Sequence, residues 1–539
     1  MSSPSRGYAA LAGITAATVA IGTAEPVAVL TGPRSAPLIA VGSVVVDTVP
    51  EPLKQFAIAV FGRYDKLALL VGTALVLAGI AALLGLAAVR RLWVGVAGIA
   101  AFAVLGIAAA LTRPGADPAD ALPSLVGAGL GALVLWLLLA GPLQLDPWPW
   151  TPPTPPAPAA VSSVPAPGGP SSVPASGASG AEIDPQGRRR FLTGVGALTG
   201  AAAVAGLGGH WLAGRRGVST ARQAVVLPAP VSPAPALPAG ADLAVAQLAP
   251  YVTPNAEFYR IDTALVVPQV DPFSWRLRIH GRVRNPIELS FAELLARPMV
   301  ERHITLACVS NEVGGDLIGS ARWLGVPIRE LLDEAQPEPG ADQVVGRAVD
   351  GWTCGTPTAV LRDGRDALLA VGMNGVPLPV EHGFPVRMVV PGLYGYVSAC
   401  KWVTELELTS FADFDAYWVP RGWSAQGPIK TQSRIDTPRP RNRLTAGPVT
   451  VAGVAWAQQR GIARVEVRVD EGPWQEATLA PTASVDTWVQ WSWRWPASAG
   501  EHTLQVRATD ADGETQTERR QRVDPDGATG WHTVKVTVR

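Results

Sequence analysis

Four stretches of almost unbroken apolar sequence open the chain, and they leave it few folds. They run roughly from Tyr8 to Leu30, Leu67 to Val89, Leu92 to Leu111 and Ala121 to Leu139. Each is close to the roughly 20 residues an α-helix needs to cross a bilayer. All are rich in Ala, Gly, Leu and Val, as closely packed membrane helices are. A fifth run, Phe191 to Ala213, follows Arg188, Arg189 and Arg190. These runs predict an α-helical membrane bundle over residues 1–141 and a fifth span over 187–214. Arg90 and Arg91 separate the second and third spans. Cationic loops favour the cytoplasm. Both arginine clusters and the N-terminus are therefore expected inside, and everything beyond the fifth span outside. Arg215 and Arg216 fall on the outer side in this arrangement, against the trend.

The run Arg188-Arg189-Arg190-Phe191-Leu192-Thr193 also resembles a twin-arginine export signal, although an anchor with a basic flank has the same pattern. Glu25 and Pro26 lie late in the first run. An acid at that depth is a candidate functional group; a kink or helix end is the reading preferred here. No histidine precedes His210, so the four-span region offers no bis-histidine haem site of the usual kind.

Residues 142–186 and 215–249 are dominated by Pro, Ala, Ser and Gly and read as linkers. With 44 basic and 44 acidic residues, nothing suggests a nucleic-acid partner. Three cysteines, Cys308, Cys354 and Cys400, make neither a disulfide framework nor a CxxC pair.

From residue 250 the composition is that of a soluble protein. Trp275 to Gly281 alternates as a strand. Ser290 with Glu293 forms a capping box before a short helix. Further strands are predicted near 302–308 and 386–390, and a helix over 327–334, giving a mixed α+β domain over 250–435. Residues 436–539 alternate throughout: Val465 to Val469, Leu504 to Ala508, and Trp491, Trp493 and Trp495 on one strand face. This predicts an all-β immunoglobulin-like sandwich.

The chemistry centres on Ala307-Cys308-Val309-Ser310-Asn311-Glu312-Val313-Gly314-Gly315-Asp316, closely followed by Trp323-Leu324-Gly325-Val326-Pro327. A cysteine there ends an apolar run and opens a glycine-rich loop. It is either a thiolate at a strand end or a small buried hydrophobe. Other stretches join it: Thr253-Pro254-Asn255-Ala256-Glu257-Phe258-Tyr259-Arg260, Asp350-Gly351-Trp352-Thr353, Ala370 to Pro379, Glu381-His382-Gly383-Phe384-Pro385-Val386-Arg387, Pro391 to Tyr396, and Lys401-Trp402. In this order and spacing they resemble the sulfite oxidase family of molybdopterin enzymes, across about residues 250–539.

The resemblance implies a molybdenum atom held by a pterin dithiolene and by the Cys308 thiolate, a soft donor set suited to a redox metal. It implies pterin contacts from Asn255, Tyr259 and Arg260, and phosphate contacts from His382, Arg387, Ser398 and Lys401, with Gly395 allowing close backbone approach. Arg322 and Tyr396 are the candidates for acting on substrate. His303 either faces the cofactor or is a satisfied core histidine. Sulfite-oxidising members carry arginine after the ligand cysteine, whereas Glu312 lies in the matching stretch here, which disfavours an anionic substrate.

The expectation is therefore a multi-pass cell-membrane enzyme with its catalytic domain on the extracytoplasmic side. It would transfer an oxygen atom to or from a small oxo substrate. It would exchange electrons with a haem- or quinone-linked carrier and dimerise through the C-terminal domain. A reductase of sulfoxide-type substrates and a non-catalytic membrane scaffold are the alternatives.

Overall fold

A computed structural model describes residues 4–49, 60–61, 65–113, 116–145, 185–215 and 217–539. Most of the linker predicted at 142–186 lies outside the described residues. The chain divides into two compact units, Met1–Arg216 and Gly217–Arg539.

The first unit is helical: α1 (Pro4–Thr31), α2 (Pro37–Thr48), α3 (Asp65–Ala88), α4 (Leu92–Leu111), α5 (Leu122–Leu139) and α6 (Pro185–Arg215). All but α2 are long and apolar enough to cross a membrane. Helix α2, apolar but too short to span, was not among the expected elements. Helix α1 packs against α3, α5 and α6. Small residues allow it: a Cβ on Gly13 or Gly85 would run into the backbone of the facing helix, as would one on Gly22 or Gly127. Pro26 lies inside α1 without ending it.

The second unit begins with α7 (Ser219–Ala224) and an extended segment. Its first sheet comprises β1 (Arg276–Gly281), β2 (Ile287–Ser290), β5 (Gln343–Ala348), β6 (Thr353–Pro357) and β10 (Val403–Thr409), in the order β2-β1-β10-β5-β6. The other comprises β3 (Val300–Ala307), β4 (Ile318–Pro327), β7 (Leu368–Met373) and β8 (Val376–Pro377), in that order, with β9 (Arg387–Val389) paired to β7. Short helices α8 (Phe291–Leu295), α9 (Ile328–Ala335) and α10 (Thr358–Arg362) connect strands. The capping box is present: Glu293 N donates to Ser290 Oγ at 3.2 Å, and Ser290 N to Glu293 Oε2 at 2.8 Å.

The remaining strands form two antiparallel-rich sheets. One contains β11 (Gln432–Thr437), β13 (Gly447–Trp456), β17 (Val489–Ala497) and β16 (Thr478–Leu479). The other contains β12 (Arg443–Leu444), β19 (His532–Val538), β18 (Gly500–Asp510), β14 (Ile462–Val469) and β15 (Gln475–Glu476). Trp491 and Trp495 lie in their shared core, with Trp493 packed against it.

The predicted linker 215–249 needs correction over its described part. Residues 217–249 are a strap tied down along the second unit. Val231 N donates to Met299 O at 2.8 Å and Glu301 N to Ser232 O at 2.8 Å. Gln490 of β17 takes the Leu243 N–H at 2.7 Å and donates to Ala249 O at 2.8 Å. Proline-rich chain cannot pair on both edges, but neighbours can satisfy its remaining groups.

Candidate functional site

Strand β3 is buried along its last five residues, and Cys308 follows as the chain leaves the sheet. Its N–H still donates to Leu317 O at 2.9 Å, closing the base of the loop. Inside, Asn311 N donates to Cys308 O at 3.1 Å and Asn311 Oδ1 accepts Leu317 N–H at 2.9 Å. Cys308 Sγ accepts the Ser310 N–H at 3.4 Å and is 8% exposed. Burial pushes this thiol up; Ser310 and the Lys401 charge pull it down.

The 380–401 region brings three cationic or ionisable side chains together at Gly383. This residue has φ +111°, and a Cβ there would stand 3.0 Å from Arg387 Cβ and 3.2 Å from Lys401 Cα. Only glycine fits both the conformation and the gap. Arg387, on β9, is 5% exposed. Its Nη1 donates to His382 O at 3.1 Å, and its guanidinium lies over the Trp323 indole, 5.1 Å from the centroid. Arg387 has no carboxylate partner among the described residues, and burial lowers it to about 10.

Lys401 Nζ lies 2.7 Å from Asp262 Oδ2 and 3.3 Å from Glu381 O. Burial lowers it to about 8 against the pull of Asp262. Arg260 Nε shares the same oxygen at 2.8 Å. His382 Nε2 is 3.1 Å from Asn255 O. A carbonyl only accepts, so the proton sits on Nε2. Burial and then Arg387 hold His382 at about 4, leaving it neutral at ordinary pH. The Tyr259 phenol is raised by burial and by Cys308 and lowered by Arg387, so it feels both the thiol and the guanidinium. Gly395 backs this region: a Cβ there would be 3.7 Å from Ala307 O and 3.9 Å from Tyr259 Oη.

Cys308, Tyr259, His382, Arg387, Gly395 and Lys401 thus converge, with Arg260 at the edge. Other residues do not play the expected part. Arg322 pairs with His303 in the β3–β4 register, five positions from Cys308, and its Nε binds Glu301 Oε1 at 3.2 Å. Its side chain is thus engaged with a carboxylate on β3 and shows no contact with the cluster among the described residues. His303, its register partner, is buried. The Tyr396 hydroxyl donates to Ser424 O at 2.7 Å, turning towards that loop. Ser398 Oγ donates to Tyr394 O at 2.9 Å within its own turn. The Asn255 side chain accepts from Asn374 Nδ2 at 2.7 Å, so it braces the β7–β8 turn.

Asp262 and Trp323 belong to the cluster and were missed as site residues. Asp262 is a lone acid in a loop, and nothing in its neighbourhood marks it. Cys354 and Cys400 are free and fully buried in the core.

Residues 264–418 match the oxidoreductase molybdopterin binding domain, and residues 432–506 a bacterial Ig domain. The chain is 31% identical to sulfite oxidase of Gallus gallus over 312 residues, covering 48% of this chain and 67% of that one. It is 33% identical over 159 residues to an uncharacterized oxidoreductase, YuiH, of Bacillus subtilis, covering 29% and 76%. The chain belongs to the sulfite oxidase family of molybdopterin oxidoreductases. It is 30% identical to mitochondrial sulfite oxidase of Homo sapiens, covering 48% of this chain and 55% of that one, so it spans about half the human protein.

As a member it is a molybdenum-dependent oxidoreductase, and the site fits that cofactor. A buried guanidinium with no counter-ion, beside a dehydrated ammonium, is an unfinished electrostatic arrangement. An incoming phosphate completes it. The thiol nearby suits a thiophilic metal, which would deprotonate it against the desolvation that now keeps it neutral.

Proposed function

We propose that the chain is a membrane-anchored oxidoreductase that transfers an oxygen atom to or from a small, uncharged or weakly charged substrate on the extracytoplasmic side. The observation that carries the site is Arg387, buried without a carboxylate and adjacent to Lys401 and His382. In this reading Cys308 binds molybdenum, and Arg387 and Lys401 hold the pterin phosphate, while neutral His382, its one N–H committed to Asn255 O, packs beside them. Tyr259 lines the space between them. The bound cofactor supplies two-electron oxygen-atom transfer. The protein holds the thiolate, neutralises the phosphate and shapes the entrance.

The entrance argues against sulfite as preferred substrate. The Cys308 loop carries Glu312. Arg522, within its electrostatic reach, is already paired with Asp524 at 2.9 Å. With Arg522 paired to Asp524, Glu312 faces an approaching anion with a repulsive charge. A reductase acting on sulfoxide-type substrates is the second reading, favoured by the same acid, Glu312. Electrons pass between the site and a haem- or quinone-linked carrier, and the sandwich pairs two copies. Five long apolar helices support the membrane anchor, with the sidedness taken from the arginine clusters.

The test is turnover of the molybdenum-loaded protein with sulfite and with sulfoxides, using artificial electron carriers, in the wild type and in Glu312→Arg. The variant is expected to gain kcat/KM for sulfite and not for the neutral substrate. Equal sulfite turnover in both would remove the electrostatic argument.

A further inference from the structure

The loop after Cys308 is clipped from outside its own sheet. Its far end, Gly314-Gly315, is reached by two side chains of the sandwich. Arg434 on β11 donates from Nη1 to Gly315 O at 2.6 Å. Its Nε contacts Asp436 Oδ1 at 2.5 Å, and its Nη2 contacts Asp436 Oδ2 at 3.3 Å. Asp436 Oδ2 also accepts the Ala249 N–H of the strap at 3.0 Å. The two charged side chains are 10% and 8% exposed. His532 fills the space a Cβ on Gly314 would occupy, where φ is +80°. Its Nδ1 accepts the Ile435 N–H at 2.9 Å, so the strand that carries Arg434 also fixes this ring. Within the loop, Gly315 N donates to Glu312 O at 2.8 Å. The Gly315 carbonyl is the outward handle.

We propose that Arg434 is a positioning residue for Cys308: through Gly315 it holds the loop closed, so that Sγ stays shielded and aimed at the site. The inference rests on the reading of Cys308 as metal ligand. A buried guanidinium aimed by a carboxylate makes a charge-assisted bond, stronger than a neutral one. Removing it takes the side-chain donor from Gly315 O and leaves the Asp436 carboxylate with the Ala249 N–H but without its cation in a dehydrated place.

The test uses the full chain, produced with and without the pterin. In cofactor-free protein, Cys308 alkylation is followed by peptide mass mapping, which separates it from Cys354 and Cys400. Arg434→Gln is expected to alkylate at least about tenfold faster, the population shift that loss of one charge-assisted hydrogen bond brings. It should also hold less molybdenum. Arg434→Lys keeps the charge without the fork and should fall between. Arg464→Gln, on β14 where it pairs with Glu466, should match the wild type in both readouts.

Unchanged alkylation in folded Arg434→Gln would overturn the proposal. If that variant does not fold, Asp436→Asn loosens the aim while keeping the guanidinium. The same acceleration is expected there, and its absence counts equally against the idea. Alkylation reads the loop whether or not Cys308 binds metal. A wild type that takes up no molybdenum would therefore sink the ligand reading alone, while the alkylation rates still decide this one.

Discussion

The guanidinium of Arg387 lies over the indole of Trp323, 5.1 Å from its centroid, while the indole N–H donates to Ile304 O at 3.1 Å. The strand that leads to Cys308 thereby fixes the ring on which the buried cation rests. Cation–π contact offsets part of the desolvation of Arg387 but leaves its charge without a counter-ion.

Arg387→Met therefore separates cofactor binding from stability. The cofactor-free variant should unfold at the same temperature as the wild type or higher, by of order 1 kcal/mol, because a buried unpaired charge is gone. Molybdenum retention should fall by about tenfold or more with the loss of a charge-assisted contact. Metal content and calorimetry check the two halves.

Gly383→Ala tests the packing at the centre of the cluster. Its φ of +111° and the 3.0 Å approach to Arg387 Cβ leave no unstrained place for a methyl group. A loss of roughly 1–3 kcal/mol is expected in denaturant unfolding, with weaker cofactor retention.

Acid should destabilise the second unit before its carboxylates titrate. His382 and His532 are each held at about 4, mainly by burial, against an ordinary value of 6.5. The unfolded chain binds protons that the folded one refuses. Stability is therefore lost as pH falls from about 6.5 towards 4, by up to roughly 3 kcal/mol for each histidine. Chemical unfolding across that window checks the slope. His382→Gln should flatten it.

Alkali should loosen the cofactor. Lys401 is lowered to about 8, so its charge is lost as pH rises through that value. Cofactor affinity should weaken as pH rises above it. Asp262→Asn removes the partner that raises Lys401 and should move the transition to lower pH.

What the sequence reveals depends on how local the signal is. The Ser290–Glu293 capping box was legible because both partners lie within one turn. The long apolar runs were legible because α1, α3, α4, α5 and α6 each bury their own backbone groups, whatever their neighbours. Cys308, His382, Arg387 and Lys401 were singled out through family resemblance, not through any local pattern, and the fold brings them to one region. The pairing of Arg322 with Glu301 was not legible, because strand register decides which side chains meet across β3 and β4. The strap at 217–249 was misread because its partners, Met299, Glu301 and Gln490, are far away in sequence. Asp262, and the Arg434 contact with Gly315, depend on long-range packing in the same way.

The most direct test of the account is the molybdenum-to-protein ratio of the wild type and of Cys308→Ser, both produced in a host that makes the pterin. The expected result is about one metal per folded wild-type chain and a ratio near zero, or a metal without turnover, in the variant. A Cys308→Ser protein that keeps both molybdenum and full turnover would contradict the assignment of Cys308 as the metal ligand.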